Sequence, residues 1–144
     1  MKPGIYLTKI WFDDDIIELK IEVSDGISIF SNKVYVGYQT LDDVIASLIV
    51  YREQIRDSLL DIRFGEFGPK YANGAFHAHL QFASPGELYI TCRMEYAFNE
   101  SPIKNVASEA TLYLKTEPVL LDNFIAELKL LNAKKRDDAS LEGI

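Results

Sequence analysis

From Ile16 to Val23 apolar and charged side chains alternate: Ile17, Leu19, Ile21 and Val23 fall on one face, Glu18, Lys20 and Glu22 on the other. A period of two marks a half-buried strand. Ile5 to Phe12 reads as the strand before it, with Asp13-Asp14-Asp15 as the turn. Ser24-Asp25-Gly26 supplies hairpin chemistry, because glycine tolerates the positive φ such turns need. A short strand at Ile27 to Phe30, a turn at Ser31-Asn32-Lys33 and a strand at Val34 to Tyr38 are expected next.

The period then changes. Leu41, Val44, Ile45, Leu48, Ile49, Arg52 and Ile55 trace one side of a helix, predicted over Leu41 to Arg56, apolar except at Arg52. Thr40 and Asp43 resemble a capping box at its start, with Asp in place of the preferred Glu or Gln. Strands follow at Asp61 to Phe67, ending at Gly68-Pro69, at Ala75 to Ala83, at Glu87 to Phe98 and at Asn105 to Lys115. Glu117-Pro118 opens a second helix, Pro118 to Leu131, whose stripe is Leu120, Leu121, Phe124, Ile125, Leu128 and Leu131. Sequential strands joined by short turns favour antiparallel pairing. The expected architecture is a single α+β domain over residues 1–132, a predominantly antiparallel sheet with two amphipathic helices. Beyond Asn132 the apolar pattern stops, and residues 133–144 are expected to be a mobile charged tail.

Alternation also assigns faces. In Ala75 to Ala83, Phe76, Ala78, Leu80 and Phe82 point to the core, leaving His77, His79 and Gln81 outside. In the next strand Leu88, Ile90, Cys92, Met94, Tyr96 and Phe98 point inward; Tyr89, Thr91, Arg93 and Glu95 point outward. A turn that sets Phe82 against Leu88 brings Gln81 opposite Tyr89, His79 opposite Thr91 and His77 opposite Arg93. In the last strand Val106, Ala110, Leu112 and Leu114 face in, and Glu109, Thr111, Tyr113 and Lys115 face out.

The chain of 144 residues carries a formal charge of −7. Acids and bases balance beyond Ala133, so the excess lies on the folded part. An acidic surface repels phosphate backbones and steers basic partners in, which argues against nucleic acid and for a basic protein. One cysteine, Cys92, cannot build a disulfide framework or a Cys-rich zinc site, and fits a reducing compartment. The N-terminus shows no secretory h-region and no stretch reaches the ~18 apolar residues of a membrane span, so a cytoplasmic location and no membrane partner are expected.

Catalytic signatures are sparse. His77 and His79 share one strand face, as metal ligands often do, but spacing assigns them no third ligand, and the expectation is no bound metal and no cofactor. Cys92 is predicted to be buried, no G-x-S-x-G elbow occurs, and phosphate-loop and dinucleotide motifs are missing. Asp13, Asp14 and Asp15 lack the alternating spacing and the Gly and Glu of a calcium loop. The chain therefore reads as a protein binder without catalytic residues. Tyr89, Arg93, Glu95 and Tyr113, with His77 and His79, form one candidate binding surface, since Tyr, His and Arg are favoured at interfaces. The Asp13, Asp14, Asp15 turn forms a second.

Tyr38-Gln39-Thr40-Leu41, Phe64-Gly65-Glu66-Phe67, Gly86-Glu87-Leu88-Tyr89-Ile90 with Met94-Glu95, and Thr116-Glu117 leading into Phe124-Ile125-Ala126-Glu127-Leu128 carry a family-level likeness. The order of elements from about Tyr35 to Leu131 resembles bacterial immunity proteins of polymorphic toxin and contact-dependent growth inhibition systems, including the immunity family associated with the wall-associated toxin WapA. The resemblance implies an antidote that binds and neutralises a cognate toxin, often a basic nuclease, by blocking its active site. It transfers no contact residue. Two alternatives stay open: a small metal-dependent hydrolase or ligand-binding protein built on His77 and His79, and an adaptor domain with no toxin partner.

Overall fold

A computed structural model describes residues 1–54, 58–68, 74–102 and 106–144. The elements run β1 (Gly4–Phe12), β2 (Ile16–Ser24), β3 (Ile29–Gly37), α1 (Tyr38–Arg52), β4 (Leu59–Gly65), β5 (Ala75–Ser84), β6 (Glu87–Phe98), β7 (Val106–Thr116), α2 (Pro118–Asn132) and β8 (Asp138–Glu142). The strands form two four-stranded antiparallel sheets, ordered β3-β2-β1-β8 and β4-β5-β6-β7. The α+β architecture is therefore as expected, with the strands divided between two sheets.

The inner face of the first sheet presents Ile5, Leu7, Ile17, Leu19, Ile21, Val23, Val34 and Val36. The second presents Ile62, Phe64, Phe76, Ala78, Leu80, Phe82, Leu88, Ile90, Cys92 and Met94. Both sets join one core with the stripes of α1 and α2. A small apolar cavity at its centre is lined from every side, by Ile5, Leu141, Val44, Phe124, Phe64 and Leu80 among others. In the α1 stripe Arg52 joins the helices: its Nε donates to Asp122 Oδ1 at 2.8 Å and its Nη2 to Oδ2 at 3.2 Å. Tyr51, outside the predicted stripe, stacks on Phe82 with ring centroids 5.2 Å apart. Among the described residues no helix is long and apolar enough to cross a membrane.

Four expectations require correction. Residues 31–33 are no turn: β3 is continuous, and Asn32 faces inward, where its Nδ2 donates to the carbonyls of Ala75 at 2.8 Å and Glu95 at 3.2 Å. A turn-forming residue thus serves as a polar tie between the sheets, since its amide donors meet carbonyls of β5 and β6. Gly74 makes the same junction close: at φ +75° it lets the backbone approach the Lys33 carbonyl, and any Cβ there would strike that oxygen.

Residues 27 and 28 belong to a turn, where Asp25 Oδ1 accepts from the amides of Ile27 and Ser28. The helix α1 begins at Tyr38 with Gly37 as N-cap, not at a Thr40 box, because β3 runs directly into it. It is described as far as Arg52, and the predicted residues 55 and 56 lie outside the described residues.

The tail is not a mobile segment. Lys134 adopts φ 62°, the left-handed conformation that ends helices, and turns the chain back beside α2. Asp138–Glu142 then pairs with β1, and Ala139 and Leu141 enter the core. Three of its charges are paired: Asp137 with Lys9 at 3.4 Å, and Arg136 with Glu127 at 3.1 Å and with Asp138 at 2.9 Å. Glu127 also accepts the Ser140 amide at 3.0 Å, capping the strand edge.

Candidate functional site

The outer face of the second sheet follows the predicted register. Gln81 lies opposite Tyr89, His79 opposite Thr91, His77 opposite Arg93 and Phe82 opposite Leu88. In β7 Lys115, Tyr113, Thr111 and Glu109 extend these rows past Tyr89, Thr91, Arg93 and Glu95. Tyr113 is 69% exposed, while Tyr89 and Arg93 are also open to solvent. Arg93 lies 4.2 Å from the centroid of the Phe67 ring, and Lys115 lies over Tyr89.

Glu95 departs from expectation. It is only 6% exposed, because the chain after β4 folds over it and the Gly68 amide donates to its Oε1 at 2.7 Å. A carboxylate already covered and engaged cannot serve a partner, so Glu95 leaves the candidate surface. Tyr96 and Phe98, predicted inward, lie where β6 overshoots the core, and Phe98 is exposed.

Asp61 is the residue that spacing could not assign to the histidines. Antiparallel pairing sets it opposite His79, and one oxygen, Oδ1, lies 2.7 Å from His77 Nε2 and 2.9 Å from His79 Nδ1. Neutral rings would each donate one N–H to this oxygen. These bonds hold the Asp61 carboxyl below its ordinary range, the His77 bond contributing most. The cluster is a self-satisfied hydrogen-bonded triad, and among the described residues no group of three or more His, Cys, Asp or Glu is disposed to hold a metal ion. Burial pushes the Cys92 thiol up to about 12, so it remains protonated and is no nucleophile at neutral pH.

The acidic turn belongs to the first sheet, away from the His77 rows of the second. Asp13 closes the β1–β2 hairpin: its Oδ1 accepts the Asp15 amide at 2.8 Å and the Ile16 amide at 2.9 Å, and these bonds lower its pKa. Its role is local, whereas no such bond engages the side chains of Asp14 and Asp15 among the described residues.

Beside this turn stands a group that the strand pattern did not reveal. A register shift between Lys9 and Trp11 turns Trp11 onto the outer face, where it pairs with Glu18. Glu18 pairs on its other side with Tyr35. Trp11, Glu18 and Tyr35 thus form one cross-strand row. The two rings meet edge to face, 6.4 Å between centroids at 81°, with Trp11 47% and Tyr35 44% exposed. The Glu18 charge is the largest cause raising the Tyr35 hydroxyl above its ordinary pKa. Ile10 and Phe12 are exposed on the same segment. The only sequence signal was an aromatic pair, Trp11-Phe12, directly before three acids. Comparison with protein-family models, with curated proteins and with solved structures returns no match.

Proposed function

We propose that this chain is an antidote of the immunity-protein type: a non-catalytic binder that neutralises a basic, nuclease-type toxin domain by covering its active site inside the producing cell. The observation that carries this reading is the exposed aromatic pair Trp11 and Tyr35 set on either side of Glu18, beside the Asp14 and Asp15 turn. Exposed apolar area rimmed by charge marks protein interfaces, and aromatic anchors supply most of their energy. The net charge of −7 gives the sign of the partner, since a positive cleft would be drawn to this face and the attraction screened over about 8 Å at physiological ionic strength. The second sheet, with Tyr89, Arg93, Tyr113, His77 and His79, offers a further surface of mixed charge.

Co-expression with the protein encoded beside its own gene tests the reading. An antidote restores growth to cells producing that protein and co-purifies with it at a fixed stoichiometry, with binding that weakens as salt rises. Absence of a toxic neighbour, or failure both to bind and to rescue, would return the adaptor and hydrolase alternatives to the front.

A further inference from the structure

Glu18 differs from the other acid on its strand. Glu22, four positions away on the same face, holds Lys20 at 3.7 Å. No salt bridge among the described residues involves Glu18, which lies half-buried between two exposed rings. None of the cation–π pairs among the described residues uses Trp11 or Tyr35, although Lys9 sits 4.7 Å over Phe12 on the opposite side of the strand. The row is thus a carboxylate within hydrogen-bonding reach of the Tyr35 hydroxyl, with an aromatic wall on either side and, among the described residues, no cation paired with it. On one flank lies the basic row Lys20–Lys33; on the other lie Asp14 and Asp15. A cation is therefore favoured from the side of the turn.

We propose that the Trp11–Glu18–Tyr35 row is a receptor for an arginine side chain of a basic protein partner. A guanidinium is planar, stacks on aromatic faces and donates two parallel N–H bonds to one carboxylate, so it satisfies ring and acid together. An ammonium offers only a point charge and keeps its water more strongly. The proposal rests on the reading of this chain as a binder of a basic protein, and names the chemistry by which it grips that partner.

Trp11 is the chain's single tryptophan, so its fluorescence reports this row alone. The full-length protein is titrated with a hexa-arginine peptide, and with hexalysine and hexaglutamate for comparison. Hexa-arginine is expected to change the Trp11 emission saturably, hexalysine at several-fold higher concentration, and hexaglutamate not at all. Glu18→Gln and Tyr35→Ala should each weaken hexa-arginine binding about tenfold or more, a loss of ~1.4 kcal/mol. Asp14→Asn removes the same charge outside the row and should weaken it by no more than about threefold. Equal losses in Glu18→Gln and Asp14→Asn, equal affinity for the two basic peptides, or no saturable response would each overturn the proposal. The co-expression experiment separates this from the antidote reading. Rescue of growth without arginine binding refutes the receptor and leaves the antidote; arginine binding without rescue does the reverse.

Discussion

The two sheets turn different outer faces to solvent. The second sheet carries Asp61, His77, His79 and Arg93, whose charges and hydrogen bonds are largely answered within the face: Asp61 serves both histidines, and Arg93 lies on Phe67. The first sheet carries Trp11 and Tyr35 around the half-buried Glu18, where aromatic area stays exposed and, among the described residues, no cation pairs with the carboxylate. A face that satisfies itself has less to gain from a partner than one that does not. Residue types favoured at interfaces are therefore a weaker guide than the groups that structure leaves unpaired.

The largest expected effect sets the faces directly against each other. Trp11→Ala should weaken binding of the proposed basic partner by about 30-fold, roughly 2 kcal/mol, and chiefly by faster dissociation, as for a central anchor. Tyr113→Ala, which removes a still more exposed aromatic residue from the other face, should change the affinity by less than about threefold. Calorimetry on both variants checks this, and the reverse order would transfer the interface to the second sheet.

The contrast presumes that each face is carried on a fixed frame, which Asn32 helps to hold. Asn32→Ala strips the donors from the carbonyls of Ala75 and Glu95 and should cost about 2 kcal/mol, or roughly 6 °C in Tm. Thermal unfolding measures it; a Tm within 1–2 °C of the parent, on the order expected for a neutral surface change, would show that the tie is dispensable.

A smaller effect sharpens the contrast within the first sheet. The double change Asp14→Asn and Asp15→Asn should slow association about threefold at low salt and leave dissociation nearly unchanged, because rim charges steer rather than anchor. Asp13→Ala should instead lower stability without a specific effect on association, since its carboxylate closes the hairpin. Stopped-flow mixing at two salt concentrations distinguishes the two behaviours.

The smallest effect concerns acid. Asp61 has a lowered pKa in the folded state, so its bonds to His77 and His79 stabilise the fold above the unfolded carboxyl value of about 3.9 and lose that contribution as pH falls through the folded value. Asp61→Asn should flatten part of the acid limb of a Tm–pH profile. Asp13 and Asp25, lowered by backbone amides, keep the remainder. An unchanged limb would mean that the triad contributes nothing measurable, as many exposed ion pairs do.

Most of the architecture was legible because alternation is local. A strand with one buried face writes its period into seven or eight residues, and so Ile16 to Val23, Ala75 to Ala83 and Glu87 to Phe98 could be read with their faces, as could the register of His77 against Arg93. The helix stripes followed for the same reason. Asn32 defeated local reading because an asparagine in a turn and one tying two sheets have the same neighbours in sequence; only the approach of β5 and β6 distinguishes them. The tail misled because five residues with two apolar ones make no period, and β8 exists through its pairing with β1, helped by the ion pairs of Arg136 and Asp137 just before it with α2 and β1.

The candidate site divides along the same line. Sequence by itself determined that Tyr89, Arg93, Tyr113, His77 and His79 share an outward face and that the chain is acidic, since both follow from order and composition. Only the tertiary structure decided that Glu95 is covered, that Asp61 answers both histidines, and that Trp11, Glu18 and Tyr35 stand in one row. These depend on which strands lie side by side and on a shift of one residue in β1, and such long-range pairing is set by burial across the whole core.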